Sequence, residues 1–181
     1  NPHGHGTHTE CLGHITKEIY SVNEHIKSFV FTAELITIAP KLKGEDQIIT
    51  LDQLVDKLGD NSPEAIVFRT LPNNDKKLTR QYSASNPAYL DVKVALELQK
   101  RGVKHLLIDT PSVDREEDGG HLLSHHAFWN VPDNPRMDCS ITELIYVPSE
   151  IKDGSYLLNL GFASFDNDAS PSKPVLYEII N

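Results

Sequence analysis

Two short, continuously apolar runs constrain this chain more than any other feature. Ala65-Ile66-Val67-Phe68 and Leu106-Leu107-Ile108 lack the polar–apolar alternation of a half-exposed strand, so strands built from them have both faces covered. Between them Leu90, Val94 and Leu98 recur at i, i+4 and i+8, the spacing of one helix face. Asn86 suits the N-cap, Pro87 the first helical residue, Lys100 and Arg101 the negative end of the dipole, and Gly102 the stop. Strand, helix, strand at this spacing predicts a βαβ unit with a right-handed crossover, and hence an α/β domain. Elsewhere, Ser28–Ile38 reads as a long strand closed by Pro40, and Gln47–Thr50 is a short apolar piece. Thr50 can cap a helix with Leu51, Leu54, Val55 and Leu58 on its apolar face and Gly59 at its end. Strands are expected over 141–147, 156–165 and 174–180, with turns at Lys152-Asp153-Gly154 and Ser170-Pro171.

The 181 residues fit one domain, 1–181. Seventeen basic against 26 acidic residues give a formal charge of −9. That balance offers no basic stripe for phosphates and argues against nucleic acid as a partner. No apolar run approaches the ~20 residues of a membrane helix, so no membrane association is expected. Two cysteines, Cys11 and Cys139, make no disulfide framework and point to a reducing, cytoplasmic setting.

The nine histidines are unevenly placed. His3, His5, His8 and His14 lie near the start, and His121, His125 and His126 form a second group. In an extended chain residues i and i+2 share a face, so His8 and Glu10 can converge on one ion, and so can His3 and His5. Imidazole with carboxylate suits zinc, manganese or iron. A solvated N-terminal loop is the bland alternative. In the second group His121 and His125 are expected on one face of a helix, with His126 pointing elsewhere. Between the groups, the loop Asp109–Asp114 follows an apolar strand at its carboxyl end, where α/β sheets bind ligands. His25 and His105 stand alone and read as bystanders.

Gly6-Thr7-His8, Glu10 and His14, then Asp109-Thr110-Pro111-Ser112-Val113-Asp114, then His125 and Glu143 occur in an order that resembles the cyclase family of metal-dependent hydrolases. That group contains bacterial kynurenine formamidases and isatin hydrolases. The resemblance spans His3 to about Tyr177 and implies a swivelling β/β/α fold with a mixed sheet and one or two divalent ions per site, zinc or manganese first. It implies His8 and Glu10 as ligands of a first ion, Glu10 bridging to a second held by His125 and Glu143, with His126 the alternative to His125. His14 would be the general acid–base. Asp109, Ser112 and Trp129 are the implied substrate contacts, with Phe128 and Tyr146 nearby. The implied activity is hydrolysis of a small formamide or cyclic amide in a homodimer or homotetramer; a divergent, non-catalytic metal-binding domain is the second reading. Three departures stand out. The family's carboxylate is an Asp, here Glu10; its first His falls on Gly4, flanked by His3 and His5; and its Ala-Pro is Cys11-Leu12, where Cys11 is either a ligand or a buried filler. Relatives carry a segment before this motif, so the chain is expected to lack its N-terminal part.

Overall fold

A computed structural model describes residues 1–180. In chain order, a one-turn helix α1 (Pro2–His5) leads into strand β1 (His8–Glu10), a 3-10 turn (Leu12–His14) and a second one-turn helix, α2 (Val22–His25). Strands β2 (Val30–Ile38), β3 (Lys41–Lys43) and β4 (Asp46–Ile49) precede helix α3 (Leu51–Leu58) and strand β5 (Ala65–Thr70). Then come a 3-10 turn (Asp75–Thr79), β6 (Tyr89–Leu90), α4 (Val92–Lys100), β7 (His105–Ile108) and α5 (Leu123–Trp129). Strands β8 (Ser140–Glu143), β9 (Gly154–Phe162) and β10 (Ala169–Glu178) complete the described chain.

The two apolar runs form β5 and β7, which pair in parallel with Ala65 opposite His105, and α4 links them. Seven strands close into a barrel in the order β1-β10-β9-β2-β5-β7-β8. The run β2-β5-β7-β8 is parallel; the other pairings are antiparallel. Strand β1 closes the ring between β8 and β10. A separate three-stranded sheet joins β3, β4 and β6.

Alternate residues of the parallel strands serve two cores, which explains why their sequences show no polar face. Ile66, Phe68, Leu106 and Ile108 join Leu54, Val94, Leu98, Phe128 and Trp129 in a core beneath the helices. Ala65, Val67 and Leu107 join Phe31, Leu35, Tyr156 and Leu158 in the other. This is the mixed α/β architecture expected from the sequence. No helix among the described residues is long and apolar enough to cross a membrane.

Several local expectations shift. Helix α4 starts at Val92, not at Pro87; Asp91 is its cap and accepts from Lys93 N at 3.0 Å. The cause is non-local: Tyr89 and Leu90 pair with Ile48 and Ile49 in the small sheet, so their backbone groups are already used. Asn86 instead donates to Asp46 Oδ1 at 2.9 Å. Helix α3 does begin after Thr50, whose backbone N–H donates to Gln53 Oε1 at 3.1 Å, although Val55 is exposed. Helix α5 starts at Leu123, so His121 lies outside it and exposed. Ser170-Pro171 is part of β10 rather than a turn; Pro171 pairs with His8, and the chain reverses over 163–168.

Phe68 has no exposure and sits where β5 meets the helices. Phe68→Ala should cost about 3–5 kcal/mol, read as a lower midpoint in urea unfolding.

Candidate metal centre

Strand β1 presents two side chains to one face. His8 and Glu10, two residues apart, are both fully buried, and the ladder sets His8 directly opposite Glu143 of β8. Thr9 points the other way, where its hydroxyl meets that of Thr142 at 2.8 Å. Around Glu10 gather four imidazoles. His125 Nε2 lies 3.1 Å from Glu10 Oε1, and His3 Nδ1 lies 3.0 Å from Glu10 Oε2. His14 Nδ1 and His8 Nε2 are 3.8 and 3.9 Å from the same oxygen. Glu143 adds a second carboxylate, with Oε2 3.5 Å from His8 Nε2 and Oε1 3.7 Å from His125 Nε2.

Each inner imidazole has its other nitrogen engaged outside the cluster. His8 Nδ1 is 2.9 Å from Gly6 O, His125 Nδ1 is 2.6 Å from Asp114 Oδ2, and His3 Nε2 is 3.0 Å from Asp168 Oδ2. A ring held this way points its remaining nitrogen at a fixed place, the arrangement that metal-ligating histidines show. Two buried atoms at that place, His8 Nε2 and Glu10 Oε2, make no well-directed hydrogen bond among the described residues, close as His3 and Glu143 come to them. Leaving such atoms unsatisfied is costly, and a cation would satisfy both. Ligand atoms of His3, His8 and Glu10 lie within 4.8 Å of one another, as do those of Glu10, His14 and His125. The donor set therefore fits a divalent ion.

Charge follows the same geometry. Burial opposes ionisation of Glu10, but the close approach of His125 and His3 and the fields of His125 and His14 hold its carboxyl well below the usual range. Burial would lower the pKa of His125, yet Asp114, Glu10 and Glu143 push it up to about 10. His3 and His8 are raised as well, against burial, by Glu10 with Asp168 and by Glu143 with Glu10. His14 goes the other way: burial and the neighbouring His125 and His3 lower it despite Glu10, which favours its neutral form.

Two leucines beside these ligands adopt left-handed backbone, Leu122 (φ 47) just before α5 and Leu144 (φ 54) just after Glu143. Such strain costs of order 1–3 kcal/mol each. It is held in place by bonds from Leu122 N to Asp118 Oδ2 at 2.6 Å and from Leu144 N to Thr110 O at 3.0 Å.

The structure thus brings His3, His8, Glu10, His14, His125 and Glu143 together. His5 is outside: α1 separates it from His3, and its exposed ring turns back to Asn1 O at 2.8 Å. His126 makes no contact with the cluster carboxylates, because it occupies the helix position after His125. Cys11 is buried, and burial pushes its thiol up to about 11, so it is a filler. His105 is a buried partner of Ser140 at 2.8 Å.

Beside the cluster opens a cavity of about 680 Å³, lined by His3, Arg80, Tyr82, Ser112, Asp114 and Tyr146 among others. Trp129, expected to touch substrate, is instead fully buried in the core with Nε1 donating to Cys139 O at 3.0 Å; Phe128 is buried with it. Asp109 borders the cavity, but its carboxylate accepts from Thr70 N and Oγ1, both at 2.8 Å, and from Lys77 Nζ at 2.6 Å. It anchors the 70–77 segment and leaves Ser112 and Tyr146 as the cavity-facing members of that expectation. Sequence reasoning missed Asp168, which no motif reaches, and Lys77, whose partner is 32 residues away.

A family model described as “Putative cyclase” matches residues 1–115. No curated protein matches the chain. Among solved structures, a predicted metal-dependent hydrolase from Bacillus stearothermophilus is 17% identical with a TM-score of 0.69, over 97% of this chain and 77% of its own. Isatin hydrolase A from Labrenzia aggregata, solved with benzyl benzoate, is 15% identical with a TM-score of 0.70, over 95% and 72%. Isatin hydrolase A from Ralstonia solanacearum is 16% identical with a TM-score of 0.65, over 96% and 71%. At these identities the likeness shows a shared fold.

A pH dependence follows from His125. Its pKa in the metal-free fold, about 10 against an ordinary 6.5, means its stabilising contribution is complete below 6.5 and is lost as pH rises through 10. The chelated protein should therefore unfold at progressively lower temperature from pH 6.5 to 10 in calorimetry. Metal affinity should rise over the same window, because binding displaces that proton. A midpoint that climbs with pH in the chelated protein would contradict the ion pair.

Proposed function

The chain belongs to the Cyclase family, and from that premise we propose that it is a metal-dependent hydrolase of C–N bonds in a small formamide or cyclic amide. The observation that carries the reading is the pair of buried, unsatisfied atoms His8 Nε2 and Glu10 Oε2, set beside the partly exposed imidazole of His14, with His3 of the same cluster lining the cavity. His3, His8 and Glu10 would hold one ion; His125 and Glu143, with Glu10 between, offer donors for a second. When bound, such an ion supplies a water of lowered pKa and polarises a carbonyl.

The chain's own residues supply the rest. Neutral His14 takes a proton from the attacking water as the C–O bond forms, then delivers it to the leaving nitrogen as the C–N bond breaks. Its half-buried ring, stacked on His3 with centroids 4.3 Å apart, is placed for that transfer and matched to it near neutral pH. Asp114 keeps His125 in one orientation. The cavity admits a small molecule, and Ser112 and Tyr146 line it. Zinc and manganese both suit the donor set.

The test is turnover of aryl formamides and cyclic aryl amides by the zinc- and manganese-loaded protein. His14→Ala should lower kcat by about 10²–10⁴-fold while metal content, measured by mass spectrometry, stays at the wild-type level. A folded, metal-loaded protein inert on the whole panel would favour a non-catalytic metal-binding domain. A His14→Ala variant that keeps full turnover would remove His14 from the mechanism.

A further inference from the structure

Asp168 belongs to the turn that joins β9 to β10, far in sequence from every other residue of the cluster. The turn is pinned at three points. Asp168 O accepts from Cys11 N at 2.9 Å and Asn167 O from Val22 N at 2.8 Å, while Asn167 Nδ2 donates to Ala169 O at 3.1 Å. Gly13 packs so tightly here that a Cβ on it would meet Tyr20 O at 2.5 Å and Asp168 Cβ at 3.2 Å. The Asp168 carboxylate is thereby aimed at two imidazoles, with Oδ2 3.0 Å from His3 Nε2 and 3.7 Å from His14 Nδ1.

His3 needs such a partner more than the other histidines of the cluster. It lies on a one-turn helix that buries none of its residues and has no side-chain cap, so backbone packing does not set its ring. We propose that Asp168 is the positioning residue that makes His3 a metal ligand: it accepts the Nε2 hydrogen and thereby turns the Nδ1 lone pair toward Glu10 and His8. A neutral imidazole carries one N–H and one lone pair, so fixing the first fixes the second. Asp114 stands in the same relation to His125, and Gly6 O to His8. The chain therefore supplies its third imidazole from residue 3, with a carboxylate from a distant hairpin turn in support. This inference rests on the metal-site reading above.

The test is Zn²⁺ affinity, measured by competition with a chelator of known strength, for the full chain and for Asp168→Ala, His3→Ala and the double variant. Asp168→Ala should weaken binding about 10–100-fold. Since Asp168 acts through His3, the double variant should bind no more weakly than His3→Ala alone. Asp168→Asn, whose carboxamide oxygen still accepts, should weaken binding less than the alanine. Unchanged affinity in Asp168→Ala overturns the proposal, as do losses that multiply in the double variant, which would make Asp168 an independent ligand. If alanine shifts unfolding of the metal-free protein, the cycle is run with Asp168→Asn, where weakening that vanishes in the His3→Ala background supports the role and unchanged affinity overturns it. A wild-type chain that binds no Zn²⁺ instead removes the metal-site reading itself.

Discussion

Three residues close this fold and build its site at once. Strand β1 is hydrogen-bonded on both sides, to β8 and to β10, and it carries His8 and Glu10 into the space between them. Its register decides everything downstream, because a slip of one residue would turn Thr9 inward and both ligands outward. Interactions on the opposite face guard against that slip. Thr9 meets Thr142, and Thr7 Oγ1 donates to Leu144 O at 2.5 Å. The same register sets Glu10 opposite Ala169, next to Asp168. Barrel closure and assembly of the candidate metal centre are therefore one event.

That centre is poorly explained as a device for stability. Two carboxylates and the His8 and His125 rings are buried together, and the desolvation cost of such groups is met only by close pairing. Ion-pair contacts are many, but His8 Nε2 and Glu10 Oε2 make no well-directed hydrogen bond among the described residues, and two leucines hold left-handed backbone beside the ligands. Unmet polar atoms and strain at one place are what a binding site retains and a structural core removes. Glu10 suits its place: one oxygen faces His125 and the other faces His3, His8 and His14. The extra methylene relative to aspartate does not take the carboxylate out of the cluster.

The legible part of the fold is the part written in local period. Continuous apolar runs mark β5 and β7, Val94 and Leu98 of the i, i+4, i+8 set mark the buried face of α4, and Thr50 marks the start of α3. Where long-range pairing overrides local preference the reading slipped: Asn86-Pro87 has every mark of a helix start, yet Tyr89 and Leu90 are claimed by β4. Trp129 is instructive in the same way. It shares a helix face with His125, ring centroids 5.6 Å apart, but lies one turn further along, where the core and not the cavity surrounds it.

The sequence by itself determined which side chains share an element: His8 with Glu10 on one strand face, and His125 on a helix following the Asp109–Asp114 loop. Such neighbours are fixed by backbone geometry over a few residues. Only the tertiary structure decided which of these groups meet. Glu10 and His125 are 115 residues apart, and His3 and Asp168 are 165 apart. It also selected His3 over His5, since one turn of helix points the two rings in different directions. Contacts of that range depend on strand order and register around a closed barrel, and no short window of residues carries that information.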